Sequence, residues 1–237
     1  MRLFLTLLAT VLVTTACNAG EAEIRKNIEA RFPGAKVEAV SKTPVAGLYE
    51  VLVDGDQIVY ADGKGDYVIL GEMMQTEDKR NLTRERIDRI NQIDLASLPT
   101  DQAIRLVKGA GKRRMAVFSD VDCPYCRKLE AEIAKLDDVT VDVYLYPLPF
   151  HADAPRKSRL VWCSPDRVKA WEDLMLRNKE PQNVSGDCAN PIEANLALGQ
   201  KLRIQGTPAV VFSNGKRAPG FIPADRIEQM LAEAAAK

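Results

Sequence analysis

The apolar positions change period several times along the 237-residue chain, and each change marks an element. Ile24, Ile28 and Phe32 recur at helical spacing from Glu21 to Phe32, and Pro33-Gly34 stops the run, so a short helix leads. Lys36 to Val40, Leu48 to Val53 and Gln57 to Ala61 are rich in Val, Ile and Tyr, and Asp54-Gly55 and Asp62-Gly63 supply turn chemistry between them. Such runs predict antiparallel strands, with Tyr67 to Leu70 continuing the sheet. The first unit is therefore a small α+β domain, helix plus sheet, with an open edge that needs a cover or a partner.

From Thr76 to Leu98 the chain is polar and charged, with Leu82, Ile87 and Ile90 as its sparse apolar residues, and the segment ends at Pro99. It reads as a helical linker; the alternative is a surface helix of one continuous domain. Beyond Pro99 the pattern becomes strand, helix, strand: Met115 to Ser119, Pro124 to Leu136, then Val139 to Tyr146 with Val139, Val141, Val143 and Leu145 on one face. A βαβ crossover follows, and the class there is α/β. Residues 153–203 are mostly helical in pattern, Ala209 to Ser213 is a buried strand with Asn214-Gly215 behind it, and a final helix puts Ile227, Met230, Leu231 and Ala234 on one face. The expected division is 1–16, 17–75, 76–99 and 100–237.

The N-terminus changes the picture of where the chain works. Arg2 precedes the run Leu3 to Val13, and Thr14-Thr-Ala16 then leads to Cys17, the order of a secretory signal. Eleven residues fall short of the about 20 that span a bilayer as a helix. The mature chain is expected to be exported, and soluble or tethered through a lipid anchor at Cys17; Thr14 stands where a lipoprotein signal usually has Leu. Lys+Arg and Asp+Glu both number 33, so no global field favours nucleic acid, and no nucleic-acid partner is expected. The run Lys112-Arg-Arg114 reads as a solvated approach to a strand rather than a phosphate site.

Four further cysteines remain: Cys123, Cys126, Cys163 and Cys188. Cys123 and Cys126 bracket Pro124 and Tyr125 where a strand passes into a helix, and Pro124 suits the first helical position. Cys126, Leu129, Ile133 and Leu136 share a helical face, so Cys126 points to the core, while Cys123 meets the unpaired N–H groups and positive end of the helix, which favour a thiolate. An exposed Cys123 that attacks a disulfide and a sheltered Cys126 that resolves it follow from this placement. Zinc would need four ligands, and one Cys-x-x-Cys with the lone His151 does not supply them, so no metal and no cofactor are expected. A bridge between Cys163 and Cys188 would stabilise by about 3 kcal/mol in the loop-entropy picture; as a second redox pair they lack a helix-start motif, and they read as structural.

Gly206-Thr-Pro208 lies just before the strand Ala209 to Ser213. The plain reading is a trans proline at a strand start; the sharper one, raised by the combination of motifs, is a cis bond set against the Cys-x-x-Cys helix. His151, in Leu-Pro-Phe-His-Ala-Asp-Ala-Pro, reads as an exposed loop residue rather than a catalytic base. Met73-Met74 reads as core or interface.

Cys-Pro-Tyr-Cys at 123–126 after a buried strand and Gly-Thr-Pro at 206–208 before another resemble the thioredoxin superfamily. Val45-Ala-Gly-Leu-Tyr, Ile58-Val-Tyr-Ala-Asp-Gly, Trp162-Cys163, Cys188, and Gly206-Thr-Pro-Ala-Val-Val-Phe-Ser-Asn-Gly215 with Pro219-Gly220 narrow the resemblance to the DsbC/DsbG family of bacterial periplasmic disulfide isomerases. It covers nearly the whole mature chain. The resemblance implies a V-shaped homodimer, with an N-terminal cystatin-like α+β dimerisation domain, a linker helix and a C-terminal thioredoxin fold carrying a helical insertion. It implies that Thr207-Pro208 is the cis-proline loop that pairs with substrate backbone and that Cys163 and Cys188 form the structural bridge. Misfolded disulfide-containing exported proteins would be the substrates, and a membrane reductase of the DsbD type would keep Cys123 and Cys126 reduced. The dipeptide Pro124-Tyr125 departs from the Gly-Tyr usual in the DsbC branch and is similar to the DsbG branch, whereas the pair Cys163 and Cys188 is similar to the DsbC branch. A DsbG-like thiol reductase or chaperone, and a thiol oxidase, stay open as alternatives.

Overall fold

The computed structural model describes residues 16–236. The expected signal, save its last residue, lies outside the described residues, as does the side chain of Cys17. The chain forms two compact units that divide between Ile90 and Asn91.

In the first unit α1 (Ala16–Arg31) precedes an antiparallel sheet of β1 (Val37–Lys42), β2 (Leu48–Val53), β3 (Gln57–Asp62) and β4 (Val68–Ile69), in that spatial order. Asp54 and Gly55, at φ 52° and 85°, make the β2–β3 turn, a conformation that Asp tolerates and Gly favours. Strand alternation assigns the two faces of the sheet. Val51, Val53 and Ala61 meet Ile24 and Ile28 of α1, while Leu52, Ile58 and Tyr60 meet Ile87 and Ile90 of α2 (Leu82–Ile90). Buried Thr83 fixes α2 to the sheet, since its hydroxyl bonds the Tyr60 hydroxyl and accepts the Met73 N–H at 2.7 Å.

The helix in the span expected as a linker is shorter than the polar run. Strands β5 (Met74–Gln75) and β6 (Arg80–Asn81) first form a hairpin. Asn81 then accepts the Arg84 N–H at 2.9 Å, a side-chain cap that starts α2 at Leu82.

The second unit holds a five-stranded mixed sheet in the order β11-β10-β8-β9-β7, from β7 (Ile104–Lys108), β8 (Arg113–Ser119), β9 (Val139–Leu145), β10 (Ala209–Phe212) and β11 (Arg217–Pro219). Strands β8 and β9 are parallel and joined through α3 (Pro124–Ile133), the crossover expected from the pattern. Between β9 and β10 stand α4 (Ala154–Cys163), α5 (Arg167–Arg177) and α6 (Ile192–Lys201), and α7 (Ala224–Ala235) closes the chain. Met115, Val117, Val141 and Val210 face the layer of α3, α5 and α7; Ala116, Phe118, Tyr144 and Val211 face the other side. There the incoming segment lays Ile93, Leu95 and Leu98 against them, tied by Ile93 N–H to the Gly215 carbonyl at 3.0 Å.

Candidate active site

Strand β8 delivers the chain through Asp120-Val-Asp122 to Cys123, the residue that caps α3, with Pro124 in the first helical turn. Pro124 has no N–H to lose there and its φ suits the helix, so Cys123 is held at the positive end of the helix. The Cys123 N–H donates to the Asp120 carbonyl at 3.2 Å, which closes the turn. Its Sγ lies 3.5 Å from the Thr207 carbonyl, and the Thr207–Pro208 peptide bond is cis. Gly220 N–H donates to the Pro208 carbonyl at 2.7 Å, anchoring that loop to the residue just past β11. Contrary to the expectation of an exposed nucleophile, only 5 % of Cys123 is accessible, because the Thr207-Pro208 loop lies over the thiol.

Cys126 is 1 % accessible, packed with Leu129 and Ile133 on the core face of α3. Its Sγ accepts the Asp120 N–H at 3.4 Å. Burial pushes its thiol up to about 12; polar groups of Ser119, Asp120 and Thr207 pull the other way, and the Cys123 charge adds to the rise. Both thiols are free. Tyr125, between them, is exposed, with the Lys128 ammonium 5.4 Å from its ring centre.

Asp120 escapes a reading by residue pattern. It is fully buried, and its carboxylate accepts N–H groups of Asp122 at 2.8 Å and Leu148 at 2.6 Å. His151 Nδ1 lies 2.9 Å from the same carboxylate, so the histidine expected in an open loop is tethered beside the active-site turn. Asp122 is met by Lys157 of α4 at 2.6 Å. An acid placed directly after the apolar run Met115 to Phe118 and Ser119 is the available signal, since a buried carboxylate demands partners.

Cys163 and Cys188 form a disulfide with Cα atoms 5.7 Å apart, joining the end of α4 to the loop before α6. Trp162 beside it donates to the Ala189 carbonyl at 3.1 Å and carries the Arg167 guanidinium 3.8 Å above its ring. The structure thus brings Cys123, Cys126, Thr207 and Pro208 together and sets Cys163 and Cys188 in a bridge of their own. Among the described residues no group of His, Cys, Asp and Glu is placed to hold a metal ion.

Two free thiols at a helix start, facing a cis-proline loop on a mixed sheet, exchange thiols with disulfides, and the fold around them is that of thioredoxin. Residues 15–84 match the disulfide bond isomerase protein N-terminal domain, and residues 100–235 match the thioredoxin-like domain. A Bordetella parapertussis protein described as "Probable thiol:disulfide interchange protein DsbC" is 38% identical over 208 residues, 88% of this chain and 73% of that one. The Escherichia coli K12 thiol:disulfide interchange protein DsbC is 29% identical over 84% of this chain and 83% of its own. A crystal structure of a disulfide interchange protein from Neisseria gonorrhoeae matches 58% of this chain and 98% of that one, at 42% identity and a TM-score of 0.56. The chain belongs to the DsbC family of thiol:disulfide interchange proteins.

Proposed function

We propose that the protein is a periplasmic, homodimeric disulfide isomerase acting on misfolded exported proteins. The Cys123 thiolate attacks one sulfur of a non-native disulfide; a Cys123–substrate bond forms and a substrate thiolate leaves. That thiolate attacks another substrate disulfide, and a later substrate thiolate displaces Cys123, so no electrons are gained or lost. Where the complex stalls, Cys126 attacks Cys123 Sγ, releasing reduced substrate and leaving a Cys123–Cys126 disulfide. The two electrons that reopen it come from a membrane reductase of the DsbD type.

The observation that carries this reading is the buried Cys126 thiol. Burial, the largest cause, pushes its ionisation up and keeps the thiol protonated at neutral pH. Resolution is then slow, and the mixed disulfide lasts long enough for the substrate to rearrange. Thr207-Pro208 would pair with substrate backbone beside Cys123, while exposed Tyr125, Phe150 and Phe221 offer apolar surface to an unfolded chain. Residues 21–75 would supply the dimer contact. Tyr67 and Leu70 are 77% and 80% accessible, beside exposed Ile69, at an edge where β4 pairs through only Val68 and Ile69.

Refolding of a scrambled disulfide substrate tests the assignment. Cys123→Ala should abolish isomerisation, while Cys126→Ala should retain part of it and accumulate mixed disulfides; equal loss in both variants would contradict the division of labour. The Pro124-Tyr125 dipeptide favours a second reading, a DsbG-like reductase and chaperone, in which aggregation is suppressed without reshuffling. A thiol oxidase would instead keep Cys123 and Cys126 oxidised in the cell.

A further inference from the structure

The turn that delivers Cys123 carries two carboxylates, and the helical insertion answers both. Asp120 is fully buried, bonded to the Leu148 N–H and to His151 Nδ1, and its own backbone N–H and carbonyl bond Cys126 Sγ and the Cys123 N–H. Moving Asp120 therefore moves the partner of the Cys126 thiol and of the Cys123 backbone N–H. Asp122, next to the nucleophile, has a side chain 18% accessible, and Lys157, 20% accessible, reaches it at 2.6 Å. Arg127 stands farther from Asp122, at 3.9 Å. Lys157 also lies 3.4 Å from Asp153, but Asp153 is bound at 2.7 Å by Arg156, which leaves Asp122 as the principal partner of Lys157. Contact with Asp122 holds the lysine above its ordinary range.

A carboxylate beside a thiol opposes the thiolate, and a partly buried one is poorly screened. A carboxylate directly before the nucleophile would suppress it unless neutralised, and a buried one must be held by hydrogen bonds. Resting on the isomerase reading, we propose that Lys157 and His151 are positioning residues for Cys123: Lys157 neutralises Asp122, and His151 fixes Asp120 through its hydrogen bond, so the turn before the nucleophile is held. The insertion thereby sets nucleophile reactivity from outside the Cys-x-x-Cys motif, without touching substrate.

The test is alkylation of the full-length reduced protein by iodoacetamide from pH 5 to 9, with the modified cysteine identified by mass spectrometry. Lys157→Met keeps the aliphatic stem and should lower the Cys123 rate at pH 6 by about 3- to 10-fold, an upward shift of the profile by about half to one pH unit. Lys157→Arg should restore the profile. Asp122→Asn alone should react at least as fast as wild type, and Asp122→Asn with Lys157→Met should abolish the loss, because the lysine acts through that carboxylate. His151→Phe should slow Cys123, whereas His151→Asn, which keeps a donor in the Nδ1 position, should not. A Lys157→Met profile that overlays wild type in a protein whose Cys163–Cys188 bridge is intact would overturn the proposal. So would a double variant as slow as Lys157→Met, and so would Asp122→Asn reacting more slowly than wild type, an outcome that stands even if Lys157→Met does not fold. Wild-type refolding activity is read separately, and its absence would sink the isomerase reading without altering these profiles.

Discussion

Glu130 lies on α3 one turn beyond Cys126, and it is almost fully buried against α5. Burial pushes its carboxyl up to about 7; the Trp171 indole, which makes no full hydrogen bond, and Lys108 counter this only in part, and Glu172 adds to it. The folded state thus holds the proton more tightly than the unfolded chain, so the contribution to stability is whole below about pH 4.5 and is lost as pH rises through about 7. Glu130→Gln should therefore match wild type near pH 4 and exceed it by up to about 3 kcal/mol at pH 8. Urea unfolding of both proteins at the two pH values checks it, and a constant difference would show that ionisation is not what separates them. Cys126 titrates by the same cause at higher pH, so in reduced native protein it should stay unalkylated below about pH 9 while Cys123 reacts. Peptide-resolved alkylation would contradict this if both thiols modified at one rate. Neither burial is fully legible in the sequence. The 3.6-residue spacing from Cys126 to Leu136 points that thiol inward, but Glu130 lies on the same arc and reads as a surface acid until α5 covers it.

Helix α6 passes so near Tyr146 that a methyl group on Gly199 would stand 2.2 Å from its ring. Tyr146 cannot yield freely, because it is buried and its hydroxyl donates to the Ile204 carbonyl at 3.3 Å. Alanine gains about 1 kcal/mol over glycine in a helix, while overpacking costs about 1–3 kcal/mol. The steric effect should win, and Gly199→Ala should destabilise by up to about 2 kcal/mol; a raised urea midpoint would refute it. The Cys163–Cys188 bridge ties the end of α4 to the irregular segment 178–191 that follows α5, and replacing both residues by alanine should destabilise by about 3 kcal/mol yet leave thiol exchange at Cys123 measurable. Complete loss of exchange in a folded variant would give the bridge a catalytic role. Strands Leu48 to Val53 and Val139 to Leu145 are plain from residue pattern, since β-branched and aromatic residues fill them. Strand β7 is not, although Ile104 and Leu106 are buried, because Arg105 and Val107 turn outward, Lys108 carries its charge inward to the Ile133 and Ala134 carbonyls, and Gly109 and Gly111 follow. Strand β11 has three residues, one of them a proline, and its existence is decided by pairing with β10 rather than by its own pattern.

A thioredoxin-like unit already holds both thiols and the Thr207-Pro208 loop, so residues 21–75 must add something that thiol chemistry alone does not need. Reshuffling requires a substrate to stay while its disulfides are tried, and a small site gives short residence. A second catalytic unit on a symmetric partner raises the effective concentration of binding surface. A fragment without the first unit should be monomeric, reduce small disulfides and lose most isomerase activity. Where it is cut matters. Ile93, Leu95 and Leu98 are buried beside Phe118 and Tyr144, so a fragment beginning at Asn91 keeps its core whole, whereas one beginning at Pro99 strips three apolar side chains from it. Each is worth about 1.5–3 kcal/mol when fully buried, which approaches the whole stability of a small domain. The longer fragment should therefore melt cooperatively near the temperature of the catalytic unit in the full chain, and the shorter one well below it or not cooperatively. Sedimentation with refolding assays on the Asn91 fragment then isolates the role of the first unit: full isomerase activity in that monomer, or a monomeric full-length protein, would leave residues 21–75 without a part in dimerisation or in substrate retention.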